Sequence, residues 1–178
     1  SLGGSQVEIP AGSGFSATAG AYQSGKQTFT FSWPANTSTT LTEQEVIVTL
    51  KNSSQTSKTA TIKVKLLPNR INNLTLTNQG AGISLSNVTA TTASLTMPII
   101  KDRQFTLTMD AYSKPTVSKC PAWLENTTPA TRSTPESKTV NFTFKLKEDA
   151  ANFNDTQLVF TNAAGGTGMT VNITREFQ

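Results

Sequence analysis

The chain has 178 residues, with 15 basic and 11 acidic side chains, no histidine and a single cysteine. Lacking histidine, it has no default general acid/base near neutral pH and no imidazole for zinc, so Ser-His-Asp, Cys-His and His-based metal chemistry are excluded. One cysteine, Cys120, forms neither an internal disulfide nor a thiolate cluster, and Thr at about one position in six suits the outer face of a pleated sheet better than a helix.

The first segment runs to about Pro68. Val7 and Ile9 predict a strand ended by Pro10, and the following AGSGFSATAG run is too rich in Gly and Ala to hold a strand or helix by itself. From Thr28 to Trp33 the alternation is strict, which predicts Phe29, Phe31 and Trp33 on one buried face. Val46, Val48 and Leu50, then Ile62, Val64 and Leu66, give two further inward sets joined by a polar turn at 51–58. Pro68, Asn69 and Arg70 form the expected linker, because Pro cannot extend a ladder and restricts the residue before it.

The second segment shows the same period of two at Leu74/Leu76, Ile83/Leu85, Leu95/Met97 and Phe105 to Ala111. The run from Lys114 to Lys138 carries Pro115, Pro121, Pro129 and Pro135 and is expected to be mostly loop. Alternation resumes at Val140 to Leu146, Leu158/Phe160 and Met169 to Ile173. No stretch sustains a helical period, and at most one helical turn is expected, around Ala150 to Asn152.

The segment TFTFSW, EVIVTL, TATIKVKL, with its connecting turns, is echoed by NFTFKL, TQLVF, MTVNITR from Asn141. Two related β units argue for an all-β chain of two tandem immunoglobulin-like antiparallel β-sandwich modules: 1–69, a shortened module, and 70–178. Lys63, Lys65, Lys145 and Lys147 alternate with apolar residues and read as solvated strand faces, so the net charge of +4 calls for no nucleic-acid partner. No long apolar run and no charged-then-apolar leader occurs, so we expect no membrane insertion and a leader already removed or absent.

Pro121-Ala122-Trp123-Leu124, the Val140 to Leu146 strand, the polar connection at Asn152 to Asp155, the Gln157 to Phe160 strand, the Gly165 to Gly168 hairpin and the final Thr-Val-Asn-Ile-Thr strand together resemble the BACON family. These are Bacteroidetes-associated modules named for proposed carbohydrate binding. The resemblance covers about 104–175, and the chain departs from it at Asp155-Thr156, where many members carry a basic residue, and in its Ile-Thr-Arg-Glu ending. It implies an immunoglobulin-like sandwich in an exported bacterial protein, at the cell surface, outside the cell or in the periplasm, often beside glycan-active modules.

Candidate ligand contacts are Tyr22, Tyr112, Trp123, Asn152, Asn154 and Asp155. Rings stack on sugar faces and amides or carboxylates bond their hydroxyls, while the competing reading for Trp33 and Trp123 is core packing and for Tyr22 and Tyr112 a ring packed at a strand end. Asp149, Asn152, Asn154 and Asp155 cluster oxygens, but their spacing departs from a calcium loop and Asx residues favour turns. Glu148 and Asp149, as sequence neighbours, face opposite sides of a strand and make a poor glycosidase pair. Cys120 reads as a buried small hydrophobe. The expectation is therefore a non-enzymatic exported surface module with no cofactor and no metal. It serves as a glycan-associated accessory or spacer whose partners are host or dietary glycans or other surface proteins. The alternative is a structural or adhesin subunit of a surface fibre assembled by strand exchange.

Overall fold

The structure, a computed structural model, describes residues 4–38, 40–52, 58–68, 70–130, 138–147, 154–162 and 168–176. Among these residues every regular element is a strand. The chain divides into two compact units: unit 1 holds 1–36 with 43–67, and unit 2 holds 37–42 with 68–178. A single cut in the sequence cannot express this division, because a short piece of the first segment belongs to the second unit.

Unit 2 is a two-layer sandwich. One sheet orders β11 (Leu124–Asn126), β12 (Thr139–Leu146), β9 (Gln104–Ala111) and β6 (Ile71–Thr77), all antiparallel. The other orders β10 (Thr116–Lys119), β13 (Gln157–Thr161), β14 (Met169–Arg175), β8 (Thr92–Met97) and β7 (Ser84–Ser86), with β14 and β8 parallel. Lettering β6 as A, β9 to β12 as B to E, and β13 and β14 as F and G gives the sheets D-E-B-A and C-F-G, the immunoglobulin order, with β8 and β7 added beside G.

The alternation seen in the sequence explains the core. Phe105, Leu107 and Met109 of β9, Phe142 and Phe144 of β12, Leu158 and Phe160 of β13, Val171 of β14 and Leu95 of β8 all point inward and are buried. Phe144 packs on Phe105 at 5.4 Å within its sheet and meets Phe160 of the opposite sheet edge-on at 6.2 Å, while Phe142 lies 4.9 Å from Phe160. Burying each such ring contributes about 1.5–3 kcal/mol, and each aromatic pair about 0.5–1.5 more.

The outer face of β6, β9 and β12 shows what the threonines are for. Thr106 and Thr143 hydroxyls bond at 3.0 Å, Thr77 and Thr108 at 3.2 Å, and Thr108 donates to Asn141 Oδ1 at 2.8 Å. Cross-strand hydroxyl pairs of this kind stabilise a sheet face without charge.

Unit 1 has two small sheets: β1 (Ser5–Glu8), β4 (Gln44–Asn52) and β5 (Thr59–Leu66) in the order β1-β4-β5, and a ribbon of β2 (Ser16–Ala19) with β3 (Phe29–Ser32). The sequence repeat has a structural counterpart: β3 and β12 each lie in one sheet and are followed by a hairpin, β4-β5 or β13-β14, in the other. Around the β4-β5 hairpin, Phe15, Val46, Val48 and Leu66 form a small core with Val7, Ile9, Phe31 and Val64 against it.

Several expectations are corrected. Trp33 is 50% exposed, because β3 ends at Ser32 and Pro34 follows, leaving the ring to stack on Phe15 at 5.6 Å. Ile62 shares the inward face of β5 but is 42% exposed. The Gly/Ala-rich run does form β2, because pairing with β3 (Ala17 opposite Phe31) supplies what local propensity lacks. The Pro-rich run contains both β10 and β11, each held as an edge strand by one neighbour. The helical turn expected at 150–152 lies outside the described residues.

Two substitutions test this account. Phe144→Ala should cost about 3–5 kcal/mol in chemical denaturation, as both sheets lose their shared ring. Gly168→Ala should also destabilise, by about 1–3 kcal/mol, because an added Cβ would fall 2.0 Å from the Phe160 carbonyl oxygen; unchanged denaturation midpoints would contradict the hairpin geometry.

Candidate binding surfaces

Tyr22 belongs to unit 1, where it stands 41% exposed beside the turn that Gln23 and Lys26 close with two 2.9 Å backbone bonds. The other described candidates belong to unit 2 and fall at its two ends. Tyr112 is half-buried just past β9, at the end where Asp110 faces Thr139. Trp123 sits at the far end of β12, its carbonyl accepting from Lys147 N–H at 3.0 Å. Seven to eight strand residues separate the ends, roughly 25 Å, so Tyr112 and Trp123 share no surface.

Trp123 is a core residue, 4% exposed, and its indole Nε1 donates to the Asp155 carbonyl at 2.9 Å. Its face is spent on packing and its edge on locking the segment before β13 to the β10-β11 connection. The Asp155 carboxylate pairs with Lys119 Nζ at 3.0 Å and accepts from Gln157 N–H at 3.4 Å. The hydrogen bond from Lys119 is the main reason its carboxyl is held below the usual range. Asn154 is exposed beside this knot, and Asn152 lies outside the described residues. Cys120 is half-buried, its thiol donating to the Leu124 carbonyl at 3.7 Å, and burial pushes its pKa up, which disfavours the reactive thiolate. Trp123, Asp155, Lys119 and Cys120 thus build a structural corner.

The sequence reading missed a groove in unit 1. It measures about 430 Å³ and is lined by Ser5, Gln6, Val7, Ile9, Ala17, Ala19 and Phe29. The inner faces of the two sheets pack at the Phe15 end, while Ala17 and Ala19 are too small to fill the other. Next to Ser5 of this lining is the Gln27 carboxamide, accepting from Ser5 N–H at 2.7 Å and donating to the Gly20 carbonyl at 3.0 Å. A side-chain amide here makes the two bonds that a peptide group between the sheets would make. The signal was present in the sequence as small Ala residues at inward positions of a strand, in a stretch whose composition concealed the strand.

The two open edges of the three-stranded sheet differ. Along β5, Lys63 and Lys65 pair with Glu45 at 3.6 Å and Glu43 at 3.0 Å, a charged rim that discourages strand addition. Along β1 the single charged side chain is Glu8, paired with Lys51 of β4.

Among the described residues no group of three or more Cys, Asp or Glu side chains is placed to hold a metal ion, and no helix is long and apolar enough to cross a membrane. No protein-family model, no curated protein and no solved structure matches the chain.

The ion pair at the corner has a pH consequence. The folded pKa of Asp155 lies below its unfolded value, so its contribution is present above the unfolded pKa and is lost as pH falls through the folded one. Melting temperature should fall between about pH 5 and pH 2, and Asp155→Asn should flatten that slope; an unchanged slope would show that the pair does not hold the corner.

Proposed function

We propose that this chain is a non-catalytic structural or adhesin-type subunit of an exported bacterial surface assembly, joined to a second copy by strand addition at the open side of unit 1. The observation that carries the reading is the bridging Gln27 carboxamide, which takes the place of a peptide group between β1 and the β2-β3 ribbon. An incoming strand would displace it, pair with the β1 edge, and set alternate apolar side chains over Ala17, Ala19 and Phe29. Ile62, inward-facing yet 42% exposed, marks the same incompleteness of this unit's interior. The Thr-rich composition and the BACON-like stretch support an exported bacterial setting.

The glycan-accessory reading has less behind it. Of its candidate rings Trp123 is buried, Tyr112 lies at the other end of the sandwich from it, and the exposed Tyr22 belongs to unit 1. A spacer role remains compatible with unit 2, whose cross-strand threonines give a neutral, well-bonded face.

The test is sedimentation and light scattering across a wide concentration range. Assembly should grow with concentration and be abolished in the Ala17→Arg/Ala19→Arg variant, which puts charge into the groove while leaving unit 2 intact. A wild-type chain that stays monomeric throughout, or assembly indifferent to the arginines, would sink the strand-addition reading.

A further inference from the structure

A second recess, in unit 2, is independent of strand addition. It measures about 330 Å³ and lies between the start of β6 and the turn after β7, with Ile71, Leu74 and Met169 as its apolar floor, Val88 at its mouth and Arg70 on its rim. Among the described residues no carboxylate lines it. Arg70 spends one Nη1 contact on the Thr37 carbonyl at 3.5 Å, and a guanidinium carries five donors in a fork that fits a carboxylate.

The backbone here departs from regular strand. Between Asn72 and Thr75 the β6-β9 register shifts, and Asn73 takes φ +52°. This bulge turns Asn73 to the outer face, where its Nδ2 donates to Asp110 Oδ2 at 2.8 Å, and returns Leu74 to the floor. Asp110 Oδ1 accepts from Thr139 at 2.8 Å, so this carboxylate has a donor on each oxygen. Asn87, which precedes the lining residue Val88 in the chain, also has positive φ, at +49°. Left-handed non-glycine residues persist only where surroundings hold them, and bulges at sheet edges commonly re-aim a strand beside a binding site. The outcome is an apolar floor, 2% exposed at Ile71 and 1% at Met169, under a mouth where Val88 is 46% exposed to water.

We infer that this recess binds the C-terminal residue of a partner polypeptide, its free carboxylate on Arg70 and its apolar side chain on the Leu74, Val88 and Met169 surface. Charge complementarity selects a carboxylate. The volume, at the lower end of ligand-pocket size, suits one residue, and the position of β6 at the edge of its sheet lets the preceding residues run alongside it.

The experiment is an NMR titration of the whole chain with an N-acetylated tetrapeptide ending in leucine, against the same peptide as its C-terminal amide, and against acetate alone. The free-acid peptide should shift amides of β6 and 88–90. The amide peptide, and the Arg70→Ala chain with the free-acid peptide, should each bind on the order of 10- to 100-fold more weakly. Val88→Glu, at an exposed position that tolerates substitution, should weaken binding similarly and carries the test if Arg70→Ala does not fold. Equal binding of acid and amide peptides, acetate binding as tightly as the peptide, shifts confined to other surfaces, or no shift at the highest soluble concentration would each overturn the assignment.

Discussion

Everything in this chain depends on one requirement: the apolar face of each sheet must be covered by another sheet. In unit 2 the requirement is met by Phe105, Phe144 and Phe160, whose rings meet across the two layers with accessibilities of zero. Because that junction excludes water, the edge strands can be short and the connections Pro-rich without loss of the sandwich. In unit 1 the same arrangement of one strand followed by a hairpin in the facing sheet is present, but the ribbon has two strands and the facing sheet three. Coverage therefore runs out, and it does so at Ala17, Ala19 and Ile62.

This explains which parts were legible in advance. The strands with strict alternation, Val140 to Leu146 and Phe105 to Ala111 among them, declare both their type and their buried face, since a period of two has one geometric meaning. β2 and β10 did not, because their local composition favours turns and they exist only through pairing with β3 and β13. Trp33 failed for a different reason. Alternation predicts a side-chain direction but says nothing of where the covering layer ends, and Pro34 stops the ladder one residue too early for the ring to be enclosed.

The candidate residues separate along the same line. Trp123 was legible as a core residue from its context, and its bond to the Asp155 carbonyl ties together two segments 32 residues apart in sequence. Tyr112 and Trp123 are near in sequence, yet the sandwich carries the chain from one end to the other along β10 between them, so short sequence separation places them at opposite ends. The groove and the recess were both invisible for the complementary reason. Each is bounded by residues from distant strands, Val7 with Phe29 in one and Leu74 with Met169 in the other.

Edge chemistry gives the last step. A sheet edge is a row of unpaired donors and acceptors, and natural sheets that must stay alone guard it with charge. In unit 1 β5 is guarded by Lys63 and Lys65 with their glutamate partners, whereas the opposite edge, at β1, is bridged at Ser5 by a neutral side-chain amide. An ion pair serves both edges, since Glu8 of β1 is held by Lys51, but only β1 adds the amide. A neutral amide is a weaker barrier than an ion pair: a peptide group can replace it bond for bond, without stranding a charge. Of the two edges β1 is therefore the less guarded by charge, with one ion pair against two on β5 among the described residues.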